Sequence, residues 1–121
     1  MKYMLLIYGA DGAGPAYGTP EFEAEMAHWF SFTDELNATG HMISGDPLQG
    51  IDTATTVRVR GGEQLMTDGP FAETKEMLGG YYLIDVDTLD EALEWAGKMP
   101  NIAYGSVEVR PIMDMSGDGA G

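Results

Sequence analysis

Cysteine is absent from the 121 residues. That excludes disulfides, thiolate metal sites and a cysteine nucleophile. Long hydrophobic runs are missing too: no apolar stretch approaches the roughly eighteen residues of a membrane span, and no basic segment precedes an apolar one. Neither a span nor a secretory signal is expected, and the cytoplasm is the expected location. Positive charge is scarce, with six Lys and Arg against 20 Asp and Glu, a formal charge of −14. A field of that sign repels phosphate backbones, so nucleic acid is not an expected partner. The two histidines, His28 and His41, have no clustered companions at metal-ligand spacing, and no metal site is expected. A serine nucleophile lacks its Gly-x-Ser-x-Gly elbow. Gly12-Ala13-Gly14 lacks the Gly-Lys-Ser/Thr ending of a phosphate loop and sits beside Asp11, so it reads as a plain loop. No cofactor is expected.

What is present suits one domain over residues 1–113, followed by a polar, Gly-rich tail over 114–121 expected to be disordered. Lys2 to Tyr8 is apolar after its lysine and too short for a helix, so it reads as a buried central strand. Thr19 caps a helix with Pro20 at its first turn. Phe22, Met26, Trp29, Thr33 and Leu36 form its stripe, broadened by Phe30, and Gly40 ends it. His28 lies about 120° from Phe22, on the side shared with Glu25 and Phe32, at a boundary rather than in the core. His41 to Ser44 reads as a strand that breaks at Gly45-Asp46-Pro47. Ala54 to Arg60 and Gln64 to Met66 flank Gly61-Gly62 as a hairpin. Tyr81 to Val86 is another apolar strand. Thr88 and Glu91 box a second helix with Leu89, Ala92, Leu93, Ala96 and Met99 as its stripe, and Gly105 to Met113 gives the last strand. The order satisfies an α+β fold: a ferredoxin-like antiparallel sheet with two helices on one face and an extra β-hairpin. The uncovered face must meet water or a partner.

Between the hairpin and the next strand lies Asp68-Gly69-Pro70-Phe71-Ala72-Glu73-Thr74-Lys75-Glu76. Pro70 fixes its own φ and disfavours a helical Gly69, while Gly69 tolerates φ values closed to other residues. Asp-Gly-Pro is also ordinary turn punctuation. This stretch, with Gly79-Gly80-Tyr81-Tyr82-Leu83-Ile84-Asp85 after it, resembles the DGPF-motif branch of the YCII-related family. Lys2 to Tyr8, Ala54 to Arg60, Asp90 to Ala96 and Gly105 to Ile112 extend the resemblance over nearly the whole chain. The resemblance implies a homodimer whose two sheets pack face to face, the dimeric α/β barrel, with a cleft beside the interface. It also implies a His on the first helix acting with an Asp as a catalytic pair.

Those implications nominate His28 as general base or acid; Asp68 is taken as its carboxylate partner because it begins the constrained loop, with Asp46 as the rival. His41 reads as an exposed residue at the helix end. Tyr8, Arg58, Glu73, Lys75 and Tyr82 are the binding candidates. Lys75 is placed to meet an anionic group or to pair with Glu73 or Glu76. Arg58 and Arg60 share a strand face, as an anion contact or, in the favoured reading, neutralised by nearby acids. The tyrosines either present a phenol to a pocket or pack. Two functions fit. One is a small cofactor-free enzyme doing acid/base chemistry, isomerisation or elimination, on a small organic molecule in an apolar cleft. The other is a ligand-binding or accessory regulatory protein without turnover, as the occurrence of DGPF relatives beside extracytoplasmic-function sigma factors suggests.

Overall fold

The computed structural model describes residues 1–116, so the tail expected over 114–121 lies, from residue 117 on, outside the described residues. The elements run β1 (Lys2–Gly9), α1 (Pro20–Ala38), β2 (Met42–Pro47), β3 (Thr55–Arg60), β4 (Glu63–Asp68), β5 (Met77–Asp85), α2 (Leu89–Gly97) and β6 (Ser106–Pro111). Strands β2-β5-β1-β6 form one antiparallel sheet in that order, and β3-β4 form a separate two-stranded arm. This is the ferredoxin-like α+β arrangement, with β1 central as its apolar sequence required. Among the described residues no helix is long and apolar enough to cross a membrane.

Local chemistry sets the helix starts. The Thr19 hydroxyl accepts from the Phe22 N–H at 3.1 Å, with Pro20 supplying the pre-set φ of the first turn. The Thr88 hydroxyl accepts from the Glu91 N–H at 3.2 Å and starts α2 in the same way. Gly61 and Gly62 both have positive φ, which lets two residues turn β3 into β4.

Alternation along the strands divides the sheet into two faces. Tyr3 and Leu5 of β1 and Ile84 of β5 point toward the helices and meet Phe32 and Leu36 of α1 and Ala92 and Trp95 of α2. Leu5, Leu36 and Ile84 are wholly buried, each contributing roughly 1.5–3 kcal/mol. Met4, Leu6 and Leu83 fall on the opposite face, where among the described residues no element covers them.

Both helix stripes differ from the sequence expectation. On α1, Phe32 is buried while Phe30 is exposed; on α2, Trp95 is buried while Leu89 and Leu93 are about half exposed. The cause is the neighbouring helix. Phe32 packs edge-on against Trp95 at 5.9 Å, so each buried face is turned toward the other helix as well as toward the sheet.

Strand β2 also continues through Gly45-Asp46-Pro47, where a break was expected. It does so because a bulge between Met42 and Ser44 puts Gly45 opposite Tyr82 and Asp46 opposite Tyr81. A Cβ on Gly45 would lie 2.8 Å from the Tyr82 ring, so only glycine lets the two strands pair here.

Candidate functional site

A cleft of about 350 Å³ opens between α1 and the β2-β5 edge of the sheet. This is the lower end of the range that holds small organic ligands. Met26, Trp29 and Thr33 enter from α1 at helical spacing, and Met42 and Tyr82 enter from the sheet. The missing side chains of Gly45 and Gly80 leave the room. The Trp29 and Tyr82 rings are stacked at 6.3 Å with 12° between their planes, and Phe32 meets Tyr82 edge-on behind them. The Thr33 hydroxyl lies 2.6 Å from the Tyr82 hydroxyl. The chemistry on offer is therefore an aromatic, apolar wall with one hydroxyl pair that can both donate and accept.

Tyr81 and Asp46 border the same strand edge but project to the open face, because Tyr82 and Gly45 beside them project to the helix face. The Tyr81 hydroxyl donates to Asp46 Oδ2 at 2.8 Å. That hydrogen bond, and then the carboxylate's negative charge, hold the Tyr81 phenol above its ordinary pKa. Tyr8 occupies the open face with the β6 residues Ser106 and Glu108. Its hydroxyl donates to Glu108 Oε1 at 3.3 Å, and desolvation followed by the Glu108 charge raises its pKa.

The other residues nominated from sequence are scattered. His28 is exposed on α1, one residue before Trp29 but outside the cleft lining. Asp68 is exposed as the last residue of β4, paired across the arm with Thr55, rather than as the first residue of a loop. Among the described residues no hydrogen bond or ion pair joins His28 to Asp68, and the Asp68 carboxylate caps no loop N–H. The turn it precedes is held by backbone instead: Gly69, at φ +100°, donates its N–H to the Ala54 carbonyl at 2.7 Å. Glu73 and Lys75 are exposed on the loop after it.

Arg58 and Arg60 are not neutralised by acids. Arg58 donates to the Phe71 carbonyl and Arg60 to the Val59 carbonyl, and among the described residues neither has a carboxylate within 4 Å. Backbone carbonyls, one on the loop after the arm and one within β3 itself, take the place of carboxylates. His41 is half-buried rather than an exposed cap: its Nδ1 lies 2.9 Å from the Asp85 carbonyl, and its ring packs on Trp95. Of the nominated residues, Tyr82 lines the cleft and the rival acid Asp46 borders it. Trp29 and Thr33 were read as a stripe to be buried, although a threonine within an aromatic stripe is itself a sign of a hydroxyl in need of a partner. Among the described residues no group of three or more His, Asp and Glu could hold a metal ion.

Three comparisons bear on this geometry. An uncharacterised protein of Rhizobium meliloti is 38% identical over 114 residues, covering 93% of this chain and 92% of its own. The solved structure of 5-chloro-2-hydroxyhydroquinone dehydrochlorinase from Burkholderia phenoliruptrix, in complex with 2,5-dihydroxybenzoquinone, superposes with a TM-score of 0.54. That match covers 96% of this chain and 97% of the enzyme at 12% identity, a likeness of fold alone. Residues 1–116 match the family model of the YCII-related domain, and the chain belongs to that family.

Proposed function

We propose that this protein binds a small, flat, largely apolar molecule bearing a hydroxyl or carbonyl oxygen in the cleft between α1 and the sheet. The observation that carries the reading is the Thr33–Tyr82 hydroxyl pair set into the stacked Trp29–Tyr82 wall. A ring slides against such a wall, and the paired hydroxyls satisfy its one polar atom, which would otherwise be buried at a cost of about 1–3 kcal/mol. The quinone-type ligand named for the dehydrochlorinase is of this chemical class.

A second reading adds turnover: general acid/base isomerisation or elimination without a cofactor. The Asp46–Tyr81 couple favours it for a ligand that reaches around the β2 edge from the cleft to the open face, since a carboxylate holding a phenol protonated there is a base and a proton donor side by side. His28 with Asp68 is the other couple proposed for that role. It requires the exposed imidazole and the arm carboxylate to approach each other when ligand is bound. In both readings two copies pair through the open sheet face, burying Met4, Leu6 and Leu83.

The test is a thermal-shift screen of phenols, quinones and small lactones, followed by product analysis with every binder. Binders whose effect survives Thr33→Val and Tyr82→Phe unchanged would remove the cleft as the site. Binding without product in the native chain selects the first reading. Product formation lost in Asp46→Asn but kept in His28→Ala selects the Asp46 couple, and the reverse selects His28.

A further inference from the structure

The first half of α1, residues 20–31, has no buried residue; those of the helix are Phe32 and Leu36 in its second half. Yet the first half gives the cleft Met26, Trp29 and Phe30. Trp29 packs on Phe32 and Tyr82 at the boundary between the halves. Core packing thus fixes one end of the helix and leaves the ligand-facing end to other restraints. Glu25 lies on the line of Phe32 and Leu36, within about 20° at roughly 100° per residue. The helix side that is apolar over the core therefore ends in a carboxylate.

Tyr104 meets that carboxylate. Its hydroxyl donates to Glu25, 2.9 Å from Oε1 and 2.8 Å from Oε2. Among the described residues, no other hydrogen bond joins a side chain of residues 20–31 to another element. Tyr104 stands on a fixed base. It follows the 3₁₀ turn Pro100–Ala103, where the buried Asn101 donates through Nδ2 to the Tyr8 and Ser106 carbonyls at 3.3 and 3.1 Å. The Tyr104 N–H donates to the Asn101 carbonyl at 3.1 Å. The loop between β1 and α1 closes over the pair: a Cβ on Gly14 would lie 2.9 Å from the Tyr104 hydroxyl. Desolvation, then the bond to Glu25 and its charge, raise the pKa of the Tyr104 phenol and keep it a donor.

We propose that the Glu25–Tyr104 pair is a latch that holds the ligand-facing half of α1 in place and so sets the width of the cleft. The inference deepens the ligand-site reading above and depends on it only for the effect on binding. Glu25 sits roughly 40–100° round the helix from Trp29, Thr33 and Met26. Releasing it lets the first half swing on the Phe32 anchor, and Met26 and Trp29 move with it relative to Tyr82. Gly45 and Gly80, facing them across the cleft, have no side chains to stop that motion.

The test is hydrogen exchange of the full chain followed by mass spectrometry. Tyr104→Phe is expected to speed exchange of the amides of residues 23–31 by about tenfold, the size of a hydrogen bond to a charged acceptor. Residues 32–38 and β5 should exchange as before. Glu25→Ala should act alike, although alanine is the better helix former, and Glu25→Gln, which keeps an acceptor, should restore most of the protection. Should Tyr104→Phe misfold, Glu25→Ala decides alone, since Glu25 is only half-buried on a helix. Exchange over 23–31 that is unchanged, or raised equally over 32–38, overturns the latch. The binding probe is 2,5-dihydroxybenzoquinone, and Tyr104→Phe is expected to weaken its binding at least about threefold. Unchanged affinity beside faster exchange overturns the latch as a device of the cleft. A native chain that does not bind this quinone counts against the ligand reading, and the exchange rates still judge the latch.

Discussion

Replacing Thr33 by Val removes the hydroxyl partner of Tyr82 while keeping the shape of the cleft wall. Tyr82→Phe removes the other half of the pair, and the double variant closes a thermodynamic cycle. The bond is short at 2.6 Å and part-buried, with apolar neighbours on every side from Trp29 to Phe32. A neutral hydrogen bond in such a setting contributes about 1 kcal/mol net. Each single variant also strands a hydroxyl in the wall, so each is expected to cost about 1–2 kcal/mol, and the double variant less than the sum. Against a total stability of roughly 5–15 kcal/mol this is readily measured by urea titration followed by emission from Trp29 and Trp95. The coupling energy should be about 1 kcal/mol. If the single effects add to within about 0.3 kcal/mol, the two hydroxyls do not interact in solution, and the argument for a paired polar anchor in the cleft fails.

Gly45→Ala brings a Cβ to 2.8 Å from the Tyr82 ring and 3.1 Å from the Tyr81 carbonyl. It is expected to cost on the order of 1–3 kcal/mol and to abolish thermal-shift responses to cleft ligands. Phe32→Ala should cost about 3–5 kcal/mol by urea titration, because the ring is buried against both Trp95 and Tyr82. The pH dependence of the Asp46–Tyr81 bond is set by the direction of the phenol's shift. Its folded pKa lies above the unfolded value near 10, so any stabilisation is full below about pH 10 and lost as pH rises through the folded pKa. In Asp46→Asn, ultraviolet titration of tyrosinate should show one phenol ionising at lower pH than in the native chain.

Much of the architecture was legible because it rests on local rules. Thr19-Pro20, Thr88 and Gly61-Gly62 each settle an element boundary within a few residues, and the apolar run of β1 marks a strand with neighbours on both sides. The helix stripes were less legible, because a stripe read at helical period does not say which way the helix is rolled. Phe32 and Trp95 find each other across helices, and no local pattern records that contact. The site was least legible. Asp68-Gly69-Pro70 drew attention by its chemistry, yet its carboxylate ends a strand on the arm, remote in sequence from the Thr33 hydroxyl that meets Tyr82. Adjacent Tyr81 and Tyr82 look equivalent in the sequence. Pairing sends one to a carboxylate on the open face and the other to a hydroxyl in the cleft, and only the strand register distinguishes them.

Beyond the bulge between Met42 and Ser44, β2 sets Gly45 opposite Tyr82 and Asp46 opposite Tyr81, and residues opposite each other share a face. The bulge absorbs one extra residue, so a subunit without it would keep the same partners and the same facing. A slip of β2 by one residue against β5 would act differently: it would turn the Asp46 carboxylate inward, toward Trp29, and Gly45 outward. A wall built to receive an apolar ring would then acquire an acid at its rim. Register along this one strand edge, rather than strand length, separates a binding cleft from one equipped to remove a proton.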